Sequence, residues 1–187
     1  MKITGPMTDQ LDLLKLVARR LEGAEIRYML TGSLALSYYS EPRFTRDVDL
    51  VVQIRPEHVD RIASLFADDF YADTDAIRSA VARRGMVNLI HNGTLTKVDL
   101  IVQKATPFHA EELHRRRSVI IEETPVWIVS PEDLVISKLL WLRQGGSDVH
   151  RRDVVALLTS MDSLDHRYIE TNVHELGLAD LWKALAG

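Results

Sequence analysis

Residues 48–54 constrain the fold more than any other part of the chain. Apolar side chains at positions 48, 50–52 and 54 fall on both faces, as expected for an interior strand that is covered on both sides of a sheet. Asp47 and Asp49 lie at the start of this stretch, one residue apart, so their side chains point from the same face. Two neighbouring carboxylates repel each other unless a cation lies between them. The stretch therefore predicts an interior strand that begins at a cation site.

A Gly-Ser step lies upstream of this strand. Gly32 and Ser33 follow a short apolar strand predicted over residues 26–30. They begin a helix that should end before Pro42, because a residue that precedes proline disfavours the helical conformation. The free N–H groups at a helix N-terminus bind phosphate readily. Paired carboxylates close to such a turn suggest a divalent metal ion that holds a nucleotide.

The remaining pattern predicts an α+β fold with a mixed sheet flanked by helices, followed by a small C-terminal helical region. Asn92-Gly93 predicts a hairpin between two of the strands. Further strands are predicted over residues 86–91, 96–102, 119–121 and 126–129, and helices over residues 8–22, 56–66, 73–84, 108–116, 131–143, 148–160 and 166–185. We place the sheet and its helices in residues 1–130, and a helical region that packs on them in residues 131–187.

The composition excludes several classes of function. The 187 residues include no cysteine, which rules out disulfides, zinc–thiolate sites and thiol nucleophiles. A net charge of −4 gives no overall field that would attract nucleic acid. No apolar run is long enough to span a bilayer. We therefore expect a soluble cytoplasmic protein with no membrane partner.

Asp99 is a third carboxylate in an otherwise apolar stretch, the strand predicted over residues 96–102. A carboxylate in a buried strand costs free energy unless it is paired or bound to a metal ion. If this strand lies beside residues 48–54, Asp99 joins Asp47 and Asp49 in one site. The alternative is a salt bridge from Asp99 to Lys97 or to an arginine, and the sequence leaves both readings open.

These motifs, in this order, resemble the polymerase-beta-like nucleotidyltransferase superfamily. The branch to which the chain is most similar is the abortive-infection type of nucleotidyltransferase toxin, which belongs to toxin–antitoxin pairs. Such toxins also have a lysine on a later helix and an arginine–aspartate pair on the next one. The matching residues here are Gly32-Ser33, Asp47-Val48-Asp49, Asp99, the lead-in Arg43-Phe44-Thr45-Arg46, Lys138 and Arg152-Asp153.

The resemblance implies a magnesium-dependent transfer of a nucleoside monophosphate from an NTP to an acceptor hydroxyl. Two Mg²⁺ ions are expected, with Mn²⁺ as the alternative ion. The resemblance assigns the roles as follows: Asp47, Asp49 and Asp99 bind the metal ions and act in catalysis with Lys138; Gly32, Ser33, Arg46 and Lys138 bind the nucleotide; and Arg152 and Asp153 lie behind them, where Asp153 orients Lys138 or Arg152.

The acceptor is left open by the sequence. The chain is short for the toxin branch, and Thr31 stands where a second glycine often precedes the Gly-Ser step. By resemblance the acceptor is the 3′ end of tRNA, and a cognate antitoxin is expected as a partner. A small-molecule or protein hydroxyl is the alternative acceptor. A third reading is a nucleotide-binding module without catalysis.

Overall fold

The computed structural model describes residues 8–42, 45, 47–145 and 147–186, which form one mixed sheet with helices packed on it. The strands are β1 (Tyr28–Thr31), β2 (Asp47–Val52), β3 (Phe70–Tyr71), β4 (Met86–His91), β5 (Lys97–Val102), β6 (Arg117–Ile121) and β7 (Thr124–Ile128). The helices are α1 (Thr8–Gly23), α2 (Gly32–Tyr39), α3 (Val59–Phe66), α4 (Thr74–Arg83), α5 (Pro107–His114), α6 (Pro131–Arg143), α7 (Asp148–Ser160), α8 (His166–Glu175) and α9 (Ala179–Ala186).

The sheet has the strand order β3-β4-β5-β2-β1-β7-β6. The β2–β5 and β1–β7 pairs are parallel and the other pairs are antiparallel. Strand β2 lies in the middle of this order, and its apolar residues are buried on both faces. The predicted interior strand and the predicted α+β fold class are therefore confirmed. Strand β5, which contains Asp99, is indeed the neighbour of β2.

The register of the central strands separates the core from the site. Residues that pair across strands share a face of the sheet. One row of paired residues is apolar and buried, and it consists of Ile128, Leu30, Leu50, Leu100 and Val87. The neighbouring row lies on the opposite face and is polar, and it consists of Thr31, Asp49, Asp99 and Asn88. The polar row therefore crosses four adjacent strands.

Helix α6 packs against α2, α7, α8 and α9. It begins with Pro131 in its first turn, and the Ser130 hydroxyl accepts a hydrogen bond from the Asp133 N–H at 3.1 Å, which caps the helix. Most of its first nine residues are buried, as expected for a helix that is surrounded by other elements. Within the described part of the chain, no helix has the length and apolar character needed to cross a membrane.

The helix predicted over residues 166–185 is wrong as a single element. Helix α8 ends at Glu175 and α9 begins at Ala179. Gly177 has a φ of +67°, a conformation that suits glycine, and the Leu178 N–H bonds to the Val173 carbonyl at 2.8 Å. Strand β3, two residues long, was not predicted. The division of the chain at residue 130 stays a prediction.

Candidate active site

The turn between β1 and α2 lies in direct contact with the Asp49 side chain. Gly32 has a φ of +66°, and a Cβ atom at this position would overlap the Asp49 carboxylate. The backbone N–H of Ser33 donates a hydrogen bond to the same carboxylate. Glycine at position 32 is therefore required by both conformation and space. The Gly-Ser step brings the N-terminus of α2 to the polar row of the sheet.

Three carboxylates occupy one face of two adjacent strands, and we call Asp47, Asp49 and Asp99 the carboxylate row. Asp49 and Asp99 are direct partners in the parallel β2–β5 pair, where strands are about 4.8 Å apart. Asn88, the partner of Asp99 on β4, donates from Nδ2 to Asp99 Oδ1 at 2.5 Å. The strand pairing thus brings together the three aspartates that the sequence singled out.

Lys97 lies close to two members of the carboxylate row. Its Nζ lies 3.5 Å from Asp99 Oδ2 and 3.8 Å from Asp47 Oδ2, and its side chain is 39% exposed. The ion pair between Asp99 and Lys97 that the sequence left open is therefore present. Both distances exceed the 2.7–2.9 Å of a charge-assisted hydrogen bond, so the pair is a loose one.

The surroundings of Asp49 change the pKa of its carboxyl group. Burial, together with the negative charge of Asp99, raises the pKa of the Asp49 carboxyl to about 6, while Lys138 acts in the opposite direction. The charged form of Asp49 is thus disfavoured by its surroundings. A cation that bound between Asp49 and Asp99 would relieve this repulsion.

Lys138 and Asp153 form a buried ion pair next to the carboxylate row. Lys138 Nζ donates to Asp153 Oδ2 at 2.6 Å between α6 and α7, and the two residues are 1% and 3% exposed. The ammonium also lies 5.6 Å from the centre of the Trp141 ring. Asp153 is thus a buried partner of Lys138, whereas Arg152 is exposed on α7. Arg46 lies outside the described residues.

The side chains of the row match the chemistry of a divalent cation. Carboxylate oxygens are the hard ligands that Mg²⁺ and Mn²⁺ prefer, and the repulsion at Asp49 would be relieved by positive charge. Among the described residues, no group of three His, Cys, Asp or Glu side chains stands close enough to enclose a metal ion as it is. Asp99 contacts Asn88 and Lys97 while Asp49 lies against the Gly32–Ser33 turn, so the metal assignment stays a prediction.

A pocket of about 70 Å³ behind the row was missed by sequence reasoning. Glu112 of α5 and Ser137 and Trp141 of α6 help to line it. The sequence Glu111-Glu112 does not by itself show which glutamate is buried. The spacing of Glu112 from Phe108 does, because residues four apart share a helix face and Phe108 is an apolar residue that faces the core.

Comparison with protein families gives one match that spans most of the chain. A sequence model described as "Nucleotidyl transferase AbiEii toxin, Type IV TA system" matches residues 15–185. No protein of curated function matches the sequence.

Several solved structures share the fold. A nucleotidyltransferase-like protein from Paracoccidioides brasiliensis is similar at a TM-score of 0.58 and 21% identity, over 94% of this chain and 91% of that one. The antibiotic-resistance factor ANT(2″)-Ia has a TM-score of 0.58 and 12% identity, over 95% and 92% of the two chains. The lincosamide antibiotic adenylyltransferase LnuA has a TM-score of 0.51 and 12% identity, over 86% and 100%.

Proposed function

The chain belongs to the AbiEii nucleotidyltransferase toxin family of type IV toxin–antitoxin systems, and from this premise we propose a magnesium-dependent transfer reaction at the carboxylate row. A nucleoside monophosphate would pass from an NTP to an acceptor hydroxyl. The family is the one that the sequence motifs resemble, so that identification is confirmed. The metal dependence, the acceptor and the residue roles are the parts that we propose.

One observation supports the proposal more than any other. The β1–β2–β5 register sets Asp49 between Asp99 and the Gly32–Ser33 turn. A phosphate-binding helix N-terminus and a pair of repelling carboxylates thus meet at one point of the sheet. A metal–triphosphate complex is the ligand that satisfies both, because its cation suits the carboxylates and its phosphates suit the N–H groups.

The reaction forms a bond between the acceptor oxygen and the α-phosphorus and breaks the bond from the α-phosphorus to the bridging oxygen, which leaves with pyrophosphate. The start of α2, with Gly32 and Ser33, would hold the triphosphate, and the Ser33 N–H, which donates to Asp49 in this structure, would pass to a phosphate once a cation binds Asp49. Asp99 would accept the proton of the acceptor hydroxyl as general base. Bound at the row, Mg²⁺ would polarise the α-phosphate and favour ionisation of that hydroxyl.

Lys138 would act through Asp49 as well as through the nucleotide. Its ammonium lowers the pKa of the Asp49 carboxyl, which favours the ionised form that binds metal. Asp153 holds this ammonium at 2.6 Å, and Asp153 is therefore a positioning residue. We retain Lys138 and Arg46 as nucleotide-binding residues by resemblance to the family.

The edge of the sheet favours a nucleic-acid acceptor. Tyr71 of β3 is 65% exposed, and it shares a face and a row with Ile90, Lys97 and Asp47. An exposed aromatic ring at the edge of the same sheet face could stack on an unpaired base, which is a common way to bind single-stranded RNA. We therefore propose the 3′ end of tRNA as the acceptor, and a cognate antitoxin as the partner that the toxin family implies.

The proposal is tested by incubating the protein with α-³²P-labelled NTPs and Mg²⁺, in parallel with total tRNA, total protein and small alcohols. We expect label on tRNA with the wild type and none with Asp49→Ala, while the exposed Asp162→Asn variant behaves as the wild type. Label on protein or on an alcohol instead of tRNA would show that the acceptor belongs to that class of molecule. Nucleotide binding without transfer to any acceptor, with Mn²⁺ as well as Mg²⁺, would indicate a non-catalytic module.

A further inference from the structure

The pocket of about 70 Å³ lies next to the carboxylate row, under α5 and α6. Thr31, Val51 and Ile101 line its sheet side. Thr31 belongs to the same row as Asp49, and Val51 and Ile101 follow Asp49 and Asp99 by two residues on the same face. A spacing of two residues along a strand is roughly 7 Å. The distance from a group in this pocket to the carboxylate row, where we propose the reaction, would therefore be no longer than one nucleotide.

Glu112 is the buried acidic residue among those that line this pocket. It is 2% exposed, and its Oε1 accepts a hydrogen bond from the Ser137 hydroxyl at 2.7 Å. Of the residues that the structure describes, Ser137 is the one side chain or backbone group that bonds to this carboxyl. Burial raises the pKa of Glu112 to about 8, so the carboxyl is largely protonated at neutral pH. A protonated carboxyl can both donate and accept a hydrogen bond.

Except for the exposed Lys104, the other polar side chains that line the pocket are also uncharged. Burial lowers the pKa of His109 to about 4, so its ring is neutral at pH 7. The Gln103 amide lies nearby and donates to the His109 carbonyl at 2.9 Å. Trp141 adds an aromatic surface, and Lys104 is exposed where it meets the pocket. Such a lining suits an uncharged group with donors and acceptors better than a phosphate or a carboxylate.

We propose that Glu112, Ser137 and Trp141 form a subsite that binds the hydrogen-bonding edge of a nucleobase. The inference rests on the proposed function, which brings nucleotides to the adjacent row. The volume of about 70 Å³ accommodates the edge of a ring rather than an entire base. The base belongs either to the incoming NTP or to the terminal nucleotide of the acceptor, and the chemistry of recognition is the same in both cases.

A purely structural role would make Glu112 a tie between α5 and α6. The two roles differ in what a substitution changes. A structural tie affects stability but leaves the preference among bases unchanged. A subsite sets that preference, because a buried donor or acceptor left without its partner weakens binding of the wrong base by about tenfold.

The test measures dissociation constants for the four NTPs and for inorganic tripolyphosphate, with Mg²⁺, in the wild type, Glu112→Gln and Glu112→Leu. Glutamine resembles the protonated carboxyl and keeps its bond to Ser137, so we expect it to retain much of the base preference. Leucine should reduce the ratio between the best and worst NTP by about tenfold and leave tripolyphosphate binding unchanged. The exposed Glu111→Leu on the same helix is the matched control, and thermal unfolding confirms that each variant is folded.

A second arm uses RNA oligonucleotides that differ only in the 3′-terminal base. If Glu112→Leu reduces discrimination among these acceptors but not among NTPs, the subsite binds the acceptor base. Unchanged ratios in both arms, or ratios near one in the wild type, would overturn the subsite alone. A wild type that binds neither tripolyphosphate nor NTP would contradict the proposed function itself, so the two failures are distinguishable.

Discussion

Two pairs of acidic residues are held in this protein in opposite ways. Asp49 and Asp99 are partners across β2 and β5, and Glu132 and Asp133 are adjacent in the first turn of α6. Asp99, Glu132 and Asp133 are nearly inaccessible to solvent. The pairs differ in the cations that the chain supplies to each.

The α6 pair is neutralised by the chain itself. Arg115 Nε lies 3.1 Å from Asp133 Oδ2, and Arg117 Nη2 lies 3.1 Å from Glu132 Oε2. The hydroxyl of Ser130 donates to Asp133 Oδ2 at 2.6 Å, and that of Tyr168 to Asp133 Oδ1 at 2.7 Å. The Arg115 guanidinium also stacks 3.7 Å from the centre of the Tyr168 ring. These contacts join β6, α6 and α8.

Within the described part of the chain, the cations near the sheet pair are Lys97, at longer distance, and Lys138 through its field. Burial and the repulsion from Asp99 together raise the pKa of the Asp49 carboxyl. The chain thus provides its own cations where acids serve the fold, and leaves repulsion where we propose that a metal ion binds. This contrast predicts opposite outcomes for the removal of an acid from each pair.

The largest expected effect is on transfer activity. Asp49→Ala should lower the rate by at least about 10³-fold, since it removes a ligand of the proposed metal site and with it most of the charge stabilisation in the transition state. It should not destabilise the fold in metal-free buffer, because the removed charge is poorly solvated. Radiolabel transfer and thermal unfolding on one preparation measure both. Full activity in Asp49→Ala would show that the row is not the metal site.

Asp133→Ala should have the reverse profile. Its loss leaves the Arg115 guanidinium without its carboxylate and removes the acceptor of Ser130 and Tyr168. We expect the free energy of unfolding to fall by about 3–5 kcal/mol, as when one partner of a buried ion pair is removed. Urea unfolding measures this, with the exposed Asp162→Ala as control. A loss below about 1 kcal/mol would mean that the α6 pair is not structural.

A third acid, Glu112, should have an effect of intermediate size on the free energy of unfolding. The pKa of its carboxyl is raised to about 8 in the folded chain, so the folded state keeps a proton that the unfolded state has lost above pH 5. The free energy of unfolding should therefore fall as pH rises. Between pH 5 and pH 7 the wild type should lose about 2 kcal/mol relative to Glu112→Gln, which does not titrate. Parallel pH profiles of the two proteins would show that Glu112 is ionised in the fold.

The smallest effect is expected at Lys97. The side chain is partly exposed and its contacts with Asp47 and Asp99 are loose, so Lys97→Met should change the free energy of unfolding by no more than about 0.5 kcal/mol. Chemical denaturation provides the value. A loss several times larger would place Lys97 with Arg115 and Arg117 as a structural counter-ion, and would remove the contrast between the two acidic pairs.

Much of the sheet could be predicted from the sequence because its signals are local. Apolar residues on both faces of 48–54 indicated an interior strand, and Asn92-Gly93 indicated the β4–β5 hairpin. The structure confirms both. The break at Gly177 was missed because the apolar spacing continues from α8 into α9. Strand β3 was missed because two residues do not form a recognisable period.

The candidate site was predictable to the extent that its motifs are contiguous. Asp47, Asp49 and the Gly-Ser step stand close together in the sequence, and Asp99 was recognisable as an acid in an apolar strand. The bond from Asn88 to Asp99 depends on the register of the β4–β5 hairpin, which the Asn92-Gly93 signal alone does not specify. The ties of Glu112 to Ser137 and of Asp133 to Tyr168 join helices that are far apart in sequence. No local pattern encodes such contacts.

The central claim is that the carboxylate row binds a nucleotide through a divalent cation. Isothermal titration of a non-hydrolysable NTP analogue into the wild type and Asp49→Asn, each with Mg²⁺ and with EDTA, tests this most directly. We expect binding to the wild type in Mg²⁺, at least tenfold weaker binding in EDTA, and equally weak binding to Asp49→Asn in both buffers. Equal affinity of the wild type with and without Mg²⁺, or Mg²⁺-dependent binding that Asp49→Asn retains in full, would contradict the account.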